Sequence, residues 1–159
     1  MPLADTPFAA LTVIAAPAIL TNASSVLALG TGNRIARVVD RTRFLTRELA
    51  DETIEDTRRE VYRGQLDGLQ VRAQLLLGAL RWFYTSLGAF AASALIAVIG
   101  SVVAAYQGVR VAETFAIAGL LVGALGVTGL VTGCMLMVRE TRLAVRHLTE
   151  EARLVNRQR

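Results

Sequence analysis

Apolar residues come in long blocks along this chain, and charged residues are kept out of them. No Asp, Glu, Lys or Arg falls between Asp5 and Arg34, between Arg81 and Arg110, or between Glu113 and Arg139. Each interval exceeds the roughly 20 apolar residues that cross a hydrocarbon core about 30 Å thick. The pattern predicts three transmembrane helices, near residues 8–30, 82–106 and 114–138. The leader MPLADTP carries an acid and no Lys or Arg. A cleaved signal peptide begins with a basic region, so the first block reads as a retained span.

Between and after the blocks the period changes from unbroken apolar to one apolar face. Ile35, Val38, Val39, Thr42, Leu45 and Leu49 follow a helical spacing, with no Pro or Gly separating them from Asn33. ADETIEDT, Ala50–Thr57, predicts a turn. Tyr62, Leu66, Leu69, Ala73, Leu76 and Leu80 then alternate steps of four and three, a heptad seam leading into the second span. Val138, Val145, Leu148, Ala152 and Val155 predict a third seam. Gly64 and Gly68 each weaken a helix interior by about 1 kcal/mol against Ala and mark a place for a kink. The expectation is an all-α integral membrane protein, one domain over 1–159. Its three spans extend into a cytoplasmic hairpin at 33–81 and a C-terminal helix at 139–157, whose seams meet in a small bundle.

Lipid tails do not drive apolar helices together, so small residues and interhelical hydrogen bonds must do so. Each span carries a small-residue stripe: Ala18, Thr21, Ser25, Ala28 and Gly32; then Ser86, Ala89, Ser93, Ala97, Gly100 and Ala104; then Gly119, Gly123, Gly126, Gly129 and Gly133. Three helices have limited internal surface, so some small faces are expected to meet a neighbouring subunit in a homo-oligomer. Pro17 lacks an amide hydrogen and disfavours the α conformation at Ala16, which predicts a kink or local unwinding.

Composition sharpens the topology. Of 159 residues 53% are hydrophobic, with mean hydropathy +0.48, well above an ordinary soluble domain. All seventeen basic side chains are arginine: ten in Arg34–Arg81, six after Val138, and Arg110 alone in the loop QGVRVAE. The positive-inside rule then places the amino terminus outside and both arginine-rich regions in the cytoplasm. The net charge of +4 follows from topology, and charge spread over the mouths of three spans does not suit nucleic acid. Cys134 is the sole cysteine and reads as a small packing residue. His147 is the sole histidine, with no metal-ligand spacing around it. Without a nucleophile–base pair or a phosphate loop, the chain reads as no enzyme, with no cofactor and no metal.

The chemistry that remains lies at the first span. Thr21, Asn22, Ser24 and Ser25 sit near its middle, and Asn22 facing lipid would leave its amide unpaired. These side chains must turn toward protein, as interhelical glue, or toward water in a path on the subunit axis. Asn33, Arg34, Arg37, Asp40, Arg41 and Arg43 follow as a basic collar. Asp40 is three residues from both Arg37 and Arg43, which allows local ion pairs. The collar's simplest role is to set topology and meet anionic lipid headgroups; around a pore it would ring a cytoplasmic vestibule. Two functions stay open: an ion-conducting pore lined by the first span, and a non-conducting scaffold whose cytoplasmic helices recruit a partner.

The segment PAILTNASSVLALGTGNRIARVVDRTR, Pro17 to Arg43, resembles the amino-terminal span of small bacterial membrane proteins grouped as domain-of-unknown-function family 2721. The shared features are a Pro-containing apolar stretch, a small and polar middle, and an NR-x-x-R-x-x-D-R-x-R collar, here Asn33, Arg34, Arg37, Asp40, Arg41 and Arg43. The resemblance implies a three-span fold in a bacterial inner membrane and transfers no catalytic or ligand-binding residue.

Overall fold

The computed structural model describes the backbone of residues 7–51, 53–107 and 109–157. It describes the side-chain surroundings of 15–51, 53–103, 106 and 110–146. Three helices account for nearly all of it: α1, Pro7–Leu49, α2, Asp56–Gln107, and α3, Val109–Arg157. The all-α expectation holds. α1 passes through Pro17 with no unwound segment, where the sequence predicted a kink or local unwinding, and α2 continues through Gly64 and Gly68. The loop expected at QGVRVAE is also shorter, because α3 already begins at Val109.

The acidic turn falls where the sequence puts it. α1 ends at Leu49, and Asp51 Oδ1 accepts from the Thr53 amide at 3.0 Å and its hydroxyl at 2.7 Å. These donors hold the Asp51 carboxyl below its ordinary pKa. Arg58 and Arg59 then donate their amides to the Glu55 carbonyl, both at 3.0 Å, as the first turn of α2.

α2 and α3 are long and apolar enough to cross a membrane. Among the described residues α1 does not join them, so two of the three expected spans have a helix long and apolar enough for the role. The described part of its apolar stretch is diluted by Thr21, Asn22, Ser24 and Ser25, while the side chains of 8–14 lie outside the described residues.

The helices contribute to two compact units. One joins Met1–Ala28 to Arg81–Thr132, the other Leu29–Leu80 to Gly133–Arg159. In the first, the glycine stripe of α3 lies against α2 of the same chain. A Cβ built on Gly126 would come within 2.7 Å of the Phe90 ring. One on Gly129 would meet Ser86 Oγ at 2.6 Å and the Trp82 carbonyl oxygen at 3.4 Å. Such close approach maximises dispersion contact and shortens interhelical hydrogen bonds. The buried Ser93 hydroxyl makes one, donating to the Gly119 carbonyl at 2.8 Å. Gly119, Gly123, Gly126 and Gly129 therefore serve packing within the chain. Gly133 is buried too, within the second unit.

The second unit has an apolar centre of Val38 and Leu45 from α1 with Leu69 and Leu76 from α2, joined by Ile35, Tyr62, Leu66, Ala73 and Met137. Eight of the twelve seam residues read from the first two extensions are among these, while Thr42, Leu49 and Leu80 are half-buried outside the cluster. Val39 is exposed. The third seam differs. Val138 and Val145 are exposed, and α3 instead turns Met137 and Glu140 inward; Leu148, Ala152 and Val155 lie outside the residues with described side chains. An apolar-only rule could not choose a glutamate as a seam position.

Candidate functional site

The polar residues of the first apolar stretch do not share a face. At about 100° per residue, Asn22 and Ser24 point roughly 160° apart around α1. Ser24 is fully buried and Thr21 half-buried, whereas Asn22 and Ser25 are exposed on the single chain. Within the chain, Ser24 and in part Thr21 are covered by protein. Thr21 donates to the Pro17 carbonyl at 2.8 Å within its own helix, which steadies the turn below the proline. The Ser24 hydroxyl has no hydrogen-bond partner among the described residues.

The collar is better defined. Arg34, Arg37 and Arg41 lie on α1 at steps of three and four, so helical geometry brings them to one side. There they border an open cleft of about 340 Å³, floored by Val38 and Leu69 and flanked by Arg72 of α2 and Glu140 of α3. Asn33, Asp40 and Arg43 are exposed and do not line it. The expected Asp40 pairs with Arg37 and Arg43 do not form among the described residues. Both ion pairs found there go to Glu140.

Glu140 is 2% exposed. Arg72 approaches its Oε1 with Nε and with Nη2, both at 2.8 Å. Arg34 Nη1 lies 3.4 Å from Oε2 and also donates to the Thr141 hydroxyl at 3.3 Å. One carboxylate thus ties α1, α2 and α3 together. Enclosing a charge this deeply costs several kcal/mol unless partners satisfy it, which the two guanidinium groups do. Arg41 donates to Gln65 Oε1 at 3.3 Å and its guanidinium lies 5.3 Å from the Phe44 ring centre. Arg37 makes no ion pair among the described residues.

Four guanidinium groups therefore share the cleft with one carboxylate, a strong positive excess in a recess with an apolar floor. The sequence pointed to Arg34, Arg37 and Arg41 but missed Arg72 and Glu140. A pointer existed: Glu140 is the first acid after the third apolar block, and it sits among arginines. No group of three metal-ligating side chains occurs among the described residues.

Long helices, two of them able to cross a membrane, and an arginine cleft organised by one buried acid define an all-α protein of membrane-compatible type. The chain belongs to the family described as protein of unknown function DUF2721, whose model matches residues 14–150. The likeness seen in the collar is borne out, and the match extends well beyond the collar. No curated protein and no solved structure matches the chain.

Proposed function

We propose that this is a non-catalytic, multi-pass protein of the bacterial inner membrane, which self-associates through α1 and encloses an ion path lined by Asn22 and Ser25. The carrying observation is that these two side chains face away from their own chain, while neighbouring Ser24 is buried. A polar group held in hydrocarbon without a partner costs roughly 2–7 kcal/mol. A second copy, or water on a subunit axis, removes that cost. The first apolar stretch then serves as the third span.

Membrane residence is supported by how little of the apolar segments is enclosed. Only 22% of the α2 window and 11% of the α3 window is buried, whereas a soluble protein's core helix would be mostly covered. Ile19, Leu95, Leu120 and Leu125 all stand outward, an arrangement suited to acyl chains. The arginine distribution favours an external amino terminus and a cytoplasmic second unit, with arginines at the level of anionic headgroups.

The test is flux through liposomes containing the purified chain. Asn22→Leu or Ser25→Leu should reduce flux at unchanged protein incorporation. An intact oligomer that passes no ion under any salt condition would overturn the conduit. A second reading, a non-conducting scaffold, is favoured by one observation: the arginine cleft is a formed recess on the charged unit, suited to recruitment without conduction.

A further inference from the structure

We infer that the arginine cleft of the second unit is a binding site for a phosphate group, carried by a phosphomonoester lipid headgroup or by a soluble phosphate. The inference goes beyond the conduit reading and does not depend on it, since every lining residue lies in the second unit.

Three observations carry it. First, two of the four guanidinium groups, those of Arg34 and Arg72, are held in place by Glu140. Arg72 is fixed through Nε and Nη2, and Arg34 through Nη1 alone. Each guanidinium has five N–H donors in a rigid plane, so both retain donors beyond those facing Glu140. Second, Arg37 and Arg41 border the same recess, with Arg37 not engaged by any carboxylate among the described residues. The positive excess is therefore not internally neutralised. Third, the cleft, at about 340 Å³, falls at the low end of the roughly 300–1,000 Å³ typical of small-molecule sites. It is large enough for a headgroup and has an apolar floor at Val38 and Leu69.

The selectivity comes from the arginine forks, two of which Glu140 orients. The acid satisfies one edge of Arg34 and Arg72, so an entering anion meets the remaining donors and must tolerate a carboxylate beside it. A monovalent halide offers a single point of contact. A phosphate dianion presents several acceptor oxygens to planar forks at charge-assisted hydrogen-bond distance, which is the geometry arginine recognises best. A monoester phosphate carries more charge and more free oxygens than the diester of an ordinary phospholipid, so it is the better match.

The experiment uses the full chain in mild detergent and in nanodiscs. The soluble probe is inorganic phosphate, with chloride matched for ionic strength, followed by calorimetry. The lipid probe is phosphatidic acid in phosphatidylcholine nanodiscs, compared with phosphatidylglycerol at equal surface charge, followed by native mass spectrometry of retained lipid. Saturable binding of either phosphate probe, exceeding its matched control, is the expected result, and the probe that binds identifies the source. Arg37→Gln with Arg41→Gln should weaken it by about tenfold or more, two charge-assisted contacts being lost. Arg43→Gln with Arg47→Gln removes the same charge from α1 outside the cleft and should change it less than about twofold. Neither pair touches the Glu140 ion pairs, and far-ultraviolet circular dichroism checks that both variants keep their helices. Equal losses for the two pairs, or no binding of either probe above its control, would overturn the site.

Discussion

Glu140 is the side chain on which the second unit's charge arrangement turns, and its removal tests that arrangement directly. Glu140→Met keeps side-chain bulk but deletes the anion that holds Arg34 and Arg72. Breaking a buried ion pair from one side costs about 3–5 kcal/mol when the remaining charge stays enclosed. Here the abandoned arginines are 48% and 29% exposed, so water takes up part of the loss. The expected destabilisation is therefore about 2–3 kcal/mol, Arg72 bearing most of it. For a chain of this size that corresponds to a fall in thermal midpoint of roughly 5–10 °C. The assay is circular dichroism of detergent-solubilised protein, at fixed scan rate, with Arg139→Met as an exposed neighbour of opposite charge. Adding Arg72→Met to Glu140→Met should recover part of the loss, because no enclosed cation is then left uncompensated. The reasoning fails if Glu140→Met melts within about 1 °C of the wild-type chain, or if the double variant is the sum of its singles.

Other perturbations probe the rest of the fold. Gly126→Leu drives a side chain into the enclosed Phe90 ring and should cost at least about 1–3 kcal/mol, seen as a lower midpoint; an unchanged midpoint would mean α2 and α3 do not approach here. Gly64→Ala meets nothing within 4 Å and should stabilise α2 by about 0.5–1 kcal/mol, so a drop in midpoint would argue against a helix through that position. Asp51 has its carboxyl pKa lowered by Thr53, so its bonds favour the folded turn above the unfolded value of about 4 and are lost as pH falls through the folded one. The Thr53 amide resonance should titrate in that window in the wild-type chain and not in Asp51→Asn; a flat wild-type trace would remove Asp51's part in the turn.

Much of the architecture is legible without coordinates, for identifiable reasons. Charge-free blocks at 82–106 and 114–138 mark the apolar parts of α2 and α3. The helical periods from Ile35 to Leu49 and from Tyr62 to Leu80 contain the second unit's core. Ala50–Thr57, rich in acids, contains the break between α1 and α2. All of these are local: the chain's own period or breaker residues determine them, whatever lies across from them. The resemblance in the collar is of the same kind, being carried by contiguous residues.

Partners are another matter. The glycine stripe of α3 announced close approach, yet only the fold shows that Trp82, Ser86, Phe90 and Ser93 of the same chain fill the space opposite. Asn22 and Ser24 looked equivalent as polar residues in an apolar run, and the packing of α1 turned one outward and the other in. Glu140 is the clearest case. Read alone, a glutamate following Val138 and Arg139 belongs on a solvated face, because an unpaired charge cannot be enclosed. What makes burial tolerable is two arginines, 106 and 68 residues away along the chain. Periodicity reports which face of a helix is apolar, but a buried charge depends on counter-charges that only the assembled helices bring within reach.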